Sequence, residues 1–136
     1  MRQWQLLIFF FLLFSSIVKG QSDFVQFGKA SYYADKFNGR KTASGEIYNH
    51  SKKTAAHKSL DFGTKVRVIN LENKKSIVVI INDRGPFVKG RIIDLSKSAA
   101  EVLDFLDKGI IDVKIEVINS ADAKESNPKK QKSKKK

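Results

Sequence analysis

Val66-Arg67-Val68-Ile69-Asn70 alternates apolar with polar residues, and Ile77 to Ile81 is a continuous apolar run. Between them lies the polar stretch Leu71 to Lys75, which contains Asn73. Period-two alternation sends successive side chains to opposite faces of a strand, so two such runs around a polar turn predict a β-hairpin. Other segments repeat the signal. Asp112 to Val117 alternates, with Val113, Ile115 and Val117 on one face; Arg91-Ile92-Ile93-Asp94-Leu95 is a short apolar run; Gly28 to Tyr33 is a further candidate, followed by the polar loop Asn38-Gly39-Arg40-Lys41. One helix interrupts the strands. Ser96 or Ser98 can cap it, Glu101 stands three residues after Ser98 as in a capping box, and Ala99, Val102, Leu103 and Leu106 follow helical spacing up to Gly109. About six short strands and one helix predict a small closed barrel rather than a sandwich, because closure removes exposed edges.

The ends of the chain read differently. Met1-Arg2-Gln3 is a short positive start, Leu6 to Leu13 an unbroken apolar stretch, and Ser15 to Gly20 a smaller-residue end. This is the pattern of a signal peptide over residues 1–20, cut before Gln21. The apolar stretch is short for a membrane span of about 20 residues. The chain contains no cysteine, so residues 21–119 are expected to fold as one exported domain without disulfides and without a lipid anchor.

Much of the net charge of +12 lies outside that domain. Residues 120–136 hold seven lysines against Asp122 and Glu125 and have no apolar pattern, so they are expected to be a disordered tail. After export the available polyanions are acidic wall polymers and lipid headgroups rather than nucleic acid. The alternative is a solubilising tail with no partner.

Three segments carry candidate chemistry. Asn82-Asp83-Arg84-Gly85-Pro86-Phe87 places an acid between an apolar run and a Gly-Pro turn, Thr42-Ala43-Ser44-Gly45-Glu46 places one just after a glycine, and Thr54-Ala55-Ala56-His57 supplies one of two histidines. Together they predict an acid-assisted site built from three loops. Each residue also has a structural reading: Asp83 as a turn cap, Glu46 as a surface acid, His57 as a buried structural histidine. His57 could instead hydrogen-bond a carboxylate, while His50 is expected at the surface. Tyr32 and Tyr33 offer flat faces for sugar rings, and strand alternation lets only one of them face a groove. Arg84, and Arg91 with Asp94, are expected to tie the turn to the helix start, although Arg84 could also meet a substrate carboxylate. Two histidines without ligand spacing make no zinc site, and no serine lies in a nucleophile-elbow context.

Taken in order, these blocks, with Gly28-Lys29-Ala30-Ser31-Tyr32-Tyr33 and Arg91-Ile92-Ile93-Asp94-Leu95-Ser96, resemble the rare lipoprotein A family over nearly all of residues 27–118. The resemblance implies a mainly β fold, a six-stranded double-psi β-barrel with one or more short helices, shared with the first domain of expansins. It implies a lytic transglycosylase; with the signal pattern, the expectation is an exported protein, periplasmic or secreted, acting as a monomer. The expected reaction cleaves peptidoglycan between N-acetylmuramic acid and N-acetylglucosamine, preferably in glycan lacking stem peptides, and leaves 1,6-anhydro ends. Asp83 becomes the expected acid and base, Glu46 a carboxylate lining the groove and His57 its helper, with Tyr32, Tyr33 and Arg84 as substrate contacts and no metal or cofactor. A non-catalytic glycan-binding or wall-loosening module on the same barrel is the alternative. Retention of Asp83, Glu46 and His57 together favours the enzyme.

Overall fold

A computed structural model describes residues 24–119; the expected signal peptide, 1–20, and the lysine-rich tail, 120–136, lie outside the described residues. Six strands run in chain order: β1 (Val25–Tyr32), β2 (Thr54–His57), β3 (Lys65–Asn70), β4 (Ser76–Asp83), β5 (Arg91–Leu95) and β6 (Ile111–Val117). They close into a barrel in the order β1-β5-β2-β4-β3-β6. The β1–β5 and β2–β4 pairs are parallel and the other four antiparallel. The mainly β barrel expected from the sequence is present.

The alternating runs form the strands they predict. Val66 and Val68 of β3 and Ile111, Val113 and Ile115 of β6 point into the core, where Val79, Ile81, Ile93 and Leu95 meet them. The β3–β4 hairpin forms, and its turn is held by asparagine side chains: Glu72 N donates to Asn70 Oδ1 at 3.0 Å and Lys75 N to Asn73 Oδ1 at 2.9 Å. Strand β2 departs from expectation. Thr54-Ala55-Ala56-His57 is a strand with all four residues buried, so it lacks the inside–outside alternation that identifies a strand in sequence. Asp83 likewise ends β4, so two of the three segments expected as loops carry their candidate residue, His57 or Asp83, on a strand.

The helix is shorter than its spacing implies. Helix α1 spans Lys97–Val102, and Ser96 caps it by accepting a hydrogen bond from Ala99 N at 3.4 Å. Ser98 is not the cap; its hydroxyl donates to Lys52 O. The helix stops before Gly109 because Asp104 adopts φ 59°, while Asp104 N bonds Glu101 O and Phe105 N bonds Ala100 O. This is a Schellman ending with aspartate in the position where glycine is usual, and it turns Phe105 into the core.

Candidate active site

Two parallel strands and one irregularity in their pairing build the site. Ala55 pairs with Ile81, yet Ala56 pairs with Asp83, so the register skips Asn82. A bulge resets the alternation of a strand and re-aims the next side chain. Asp83 therefore stands beside Ala56 rather than continuing the buried row of Ile81. Ala56 in turn pairs with Asp94, and Asp94 with Ser31, giving a row across four neighbouring strands. Ala56, Asp83 and Asp94 line a cleft of about 570 Å³. The two carboxylate positions lie two strand spacings apart, about 10 Å at the backbone.

Their environments differ. Asp94 Oδ1 accepts from Arg91 Nη2 at 2.6 Å and from the Ser31 hydroxyl, so its charge is balanced in place. Among the described residues, Asp83 has only neutral donors: Tyr33 Oη donates to Oδ2 at 2.5 Å, and Ala43 N and Arg84 N each donate to Oδ1 at 2.9 Å. A carboxylate offers about four acceptor directions. Oδ1 is fully engaged, and Oδ2 retains one direction for a proton or a substrate atom.

Tyr33 is a permanent donor. Burial, and then the Asp83 carboxylate it bonds, push its phenol far above the ordinary range, so it keeps its proton at every accessible pH. Its ring stacks on Tyr48 with centroids 4.2 Å apart. Tyr48 Oη accepts from Lys97 N at 3.2 Å and lies 2.7 Å from His50 Nδ1, while His50 Nε2 lies 3.0 Å from Asp35. The Asp35 carboxylate can only accept, so Nε2–H donates to it, and in the neutral ring the Tyr48 hydroxyl then donates to Nδ1. The Lys97 ammonium bonded to Asp35 holds that carboxyl below its usual range. His50, expected at the surface, thus bridges two residues behind Tyr33, with only 21% of its side chain exposed.

Tyr32 lines the same cleft, but its hydroxyl donates to Leu106 O at 2.8 Å and its ring meets Phe105 edge-on. Both tyrosines thus line the cleft, so the expectation that only one could face it does not hold; they differ instead in their partners, Tyr32 being held by the core and Tyr33 by the acid.

Glu46 ends a tight turn pinned to β4. Thr42 N and Oγ1 both donate to Glu46 O at 2.8 Å, and Ser44 N donates to Asn82 O. Gly45, at φ 91°, supplies the left-handed residue that this turn requires. The exposed Glu46 carboxylate accepts from Asn82 Nδ2 at 3.3 Å, so it stands next to the residue preceding Asp83 but does not line the cleft.

His57 is buried and also stands outside the cleft lining. Ser59 N and Leu60 N both donate to Nδ1 at 3.1 Å, which fixes the proton on Nε2, 2.9 Å from Gln26 Oε1. The ring therefore bonds an amide and a turn rather than the carboxylate considered from sequence. His57 reaches the acid through the chain: Arg84 Nη1 donates to His57 O at 3.2 Å and Leu60 O at 2.8 Å, and its guanidinium lies 4.2 Å from the centroid of Phe62. Arg84 is thus tied to the 57–60 turn, not to the helix start, while Arg91 and Asp94 pair as expected.

Burial, then the nearby Arg84 and Lys58 charges, push the His57 imidazole below 6.5. A depressed folded value means that the unfolded chain binds the proton first on acidification. His57 thus contributes stability that is complete above about 6.5 and lost as pH falls through the folded value. Chemical denaturation between pH 5 and pH 7 should show the midpoint falling on the acid side, less steeply in His57→Gln. Equal slopes in both proteins would exclude this role.

A closed six-stranded barrel with an acid-bearing cleft, together with its structural neighbours, defines a double-psi β-barrel domain. The chain belongs to the lytic transglycolase family, whose sequence profile matches residues 25–115. It is 53% identical over 100 residues to the endolytic peptidoglycan transglycosylase RlpA of Pasteurella multocida, covering 74% of this chain and 34% of that protein. The chain spans about a quarter to two fifths of the length of the curated relatives it matches. Among solved structures, the Streptomyces papain inhibitor superposes with a TM-score of 0.58 at 25% identity, over 74% of this chain and 96% of that one. The Clavibacter michiganensis expansin does so with a TM-score of 0.57 at 17% identity, over 71% and 52%, a likeness of fold alone.

Proposed function

We propose that this domain is an exported peptidoglycan lytic transglycosylase with Asp83 as its acid and base. The observation that carries this reading is the Asp83 carboxylate at the cleft, oriented by Tyr33, Ala43 N and Arg84 N and forming no ion pair among the described residues. Protonated on Oδ2, it donates to the glycosidic oxygen between the muramyl and glucosaminyl rings as positive charge builds on the muramyl C1. The resulting carboxylate takes the proton of the muramyl C6 hydroxyl, whose oxygen bonds C1 and closes the 1,6-anhydro ring. No water is consumed. Asp94 is not the acid in this scheme, because it forms an ion pair with Arg91 and accepts from Ser31, whereas Asp83 forms no ion pair among the described residues.

Glu46 lies outside the cleft lining, bonded to Asn82, and its role in this scheme is to stabilise developing positive charge or orient a hydroxyl on a glycan strand that extends past the cleft. His57 acts at one remove, by holding the turn that anchors Arg84. Tyr32 and Tyr33 form cleft wall, and Tyr33 also positions the acid. Mass spectrometry of purified glycan strands after incubation with the full chain tests the reaction: anhydro ends support it, reducing ends indicate a hydrolase, and unchanged strands indicate a binding module. The preferred substrate is glycan lacking stem peptides, and the enzyme acts as a monomer.

For residues 120–136 we propose a loose electrostatic tether to anionic wall polymers or lipid. Its hold on sacculi should weaken with salt, since screening limits exposed charges to about 8 Å at physiological ionic strength. Sedimentation with sacculi, for the full chain and a chain ending at 119, would refute the tether if binding by both were equal and insensitive to salt.

A further inference from the structure

Phe87 is 84% exposed, more than any other large apolar side chain among the described residues, and it stands on the rim of the cleft that holds Asp83. Its position is built rather than loose. A Cβ placed on Gly85 would lie 3.5 Å from the Phe87 Cε2 and 3.7 Å from its Cδ2, so the ring rests against the Gly85 backbone. Gly85 has φ 120°, a conformation that side chains rarely adopt, and Pro86 beside it is buried. A rigid turn thus presents an aromatic ring to solvent three residues along the chain from Arg84, itself anchored through its guanidinium.

An exposed ring beside an acid suits the C–H face of a pyranose, because such faces pack on aromatic rings without an unpaired polar group. The cleft is also asymmetric. Arg40 and Lys41, with Phe37, line it on the segment that leads to Ala43, whose N–H holds Asp83; Phe87 lines it on the segment that leaves Asp83, where the Arg84 guanidinium is engaged by His57 O, Leu60 O and the Phe62 ring, and the nearby Arg91 is paired with Asp94. Of the two sugars at the scissile bond, the muramyl ring bears a carboxyl-containing lactyl group and the glucosaminyl ring is uncharged. The cationic segment suits the first and the apolar rim the second. We propose that Phe87 is the stacking platform for the uncharged N-acetylglucosamine ring next to the scissile bond. This assignment rests on the transglycosylase reading above for the identity of the sugar.

The test is calorimetric titration of a GlcNAc–MurNAc tetrasaccharide into the full chain carrying Asp83→Asn, with and without Phe87→Ala or Phe87→Trp. Phe87→Ala is expected to weaken binding roughly tenfold, about 1.4 kcal/mol, and Phe87→Trp to retain it. The thermal midpoint should not move, since the ring is largely in solvent. In the chain with Asp83 intact, Phe87→Ala should raise KM more than it lowers kcat. Unchanged affinity in Phe87→Ala overturns the platform, as does lost self-association with glycan binding intact, which would make Phe87 a contact between copies. Absence of tetrasaccharide binding before Phe87 is changed overturns it too. Absence of cleavage by the parent chain defeats the proposed reaction, whereas the binding comparison still decides the platform.

Discussion

Asp83→Asn is expected to reduce glycan cleavage by about 10² to 10⁴, the usual contribution of a general acid–base group. The amide has the same shape, and its oxygen can keep the hydrogen bonds from Ala43 N and Arg84 N. Its NH₂ group would then face Tyr33, whose hydroxyl can turn to accept as well as donate. The site stays assembled. What is lost is the proton, which the amide neither donates to the leaving oxygen nor takes from the C6 hydroxyl. Cleavage of purified strands at the parental rate would remove Asp83 from the mechanism.

The second large effect concerns stability. Ile93 is fully buried at the centre of β5, pairing with Ala30 of β1 on one side and His57 of β2 on the other. Ile93→Ala is expected to cost about 2 to 5 kcal/mol through lost burial and a cavity. That is a large share of the roughly 5 to 15 kcal/mol that holds a typical domain folded. The loss reaches function, because β5 also carries Arg91 and Asp94 into the cleft. Urea unfolding should show a lower midpoint with little change in slope. A cost below about 0.5 kcal/mol, typical of surface substitutions, would mean that Ile93 does not sit in a packed interior.

How far these features could be read in advance depended on whether the signal was local. Strands β3 and β6 each bury alternate residues, so their period of two is visible in the letters. Strand β2 is buried at every position and carries two alanines, so nothing in its pattern distinguishes it from a loop. The helix start was legible because Ser96 acts within its own turn, whereas the end was not, since Asp104 takes a left-handed conformation that the sequence reserves for Gly109.

The same division runs through the site. Asp83 announces itself as an acid at a strand end, and Glu46 as an acid after a turn glycine. The skip in the β2–β4 register that turns Asp83 beside Ala56 is a pairing between distant segments, and the Ala43 donor is a backbone N–H with no side-chain signature. His50 could be placed only once the loop carrying it had folded back on Tyr48 and Asp35. The ordered blocks that resemble the rare lipoprotein A family supplied what local chemistry could not: the grouping of distant residues into one site.

The most direct measurement is mass spectrometry of the products formed from purified, peptide-free glycan strands by the full chain and by Asp83→Asn in parallel. The parent is expected to give 1,6-anhydro-muramyl ends and the variant essentially none, with both proteins equally folded. Reducing ends from the parent, intact strands from the parent, or anhydro ends in equal yield from both proteins would contradict it.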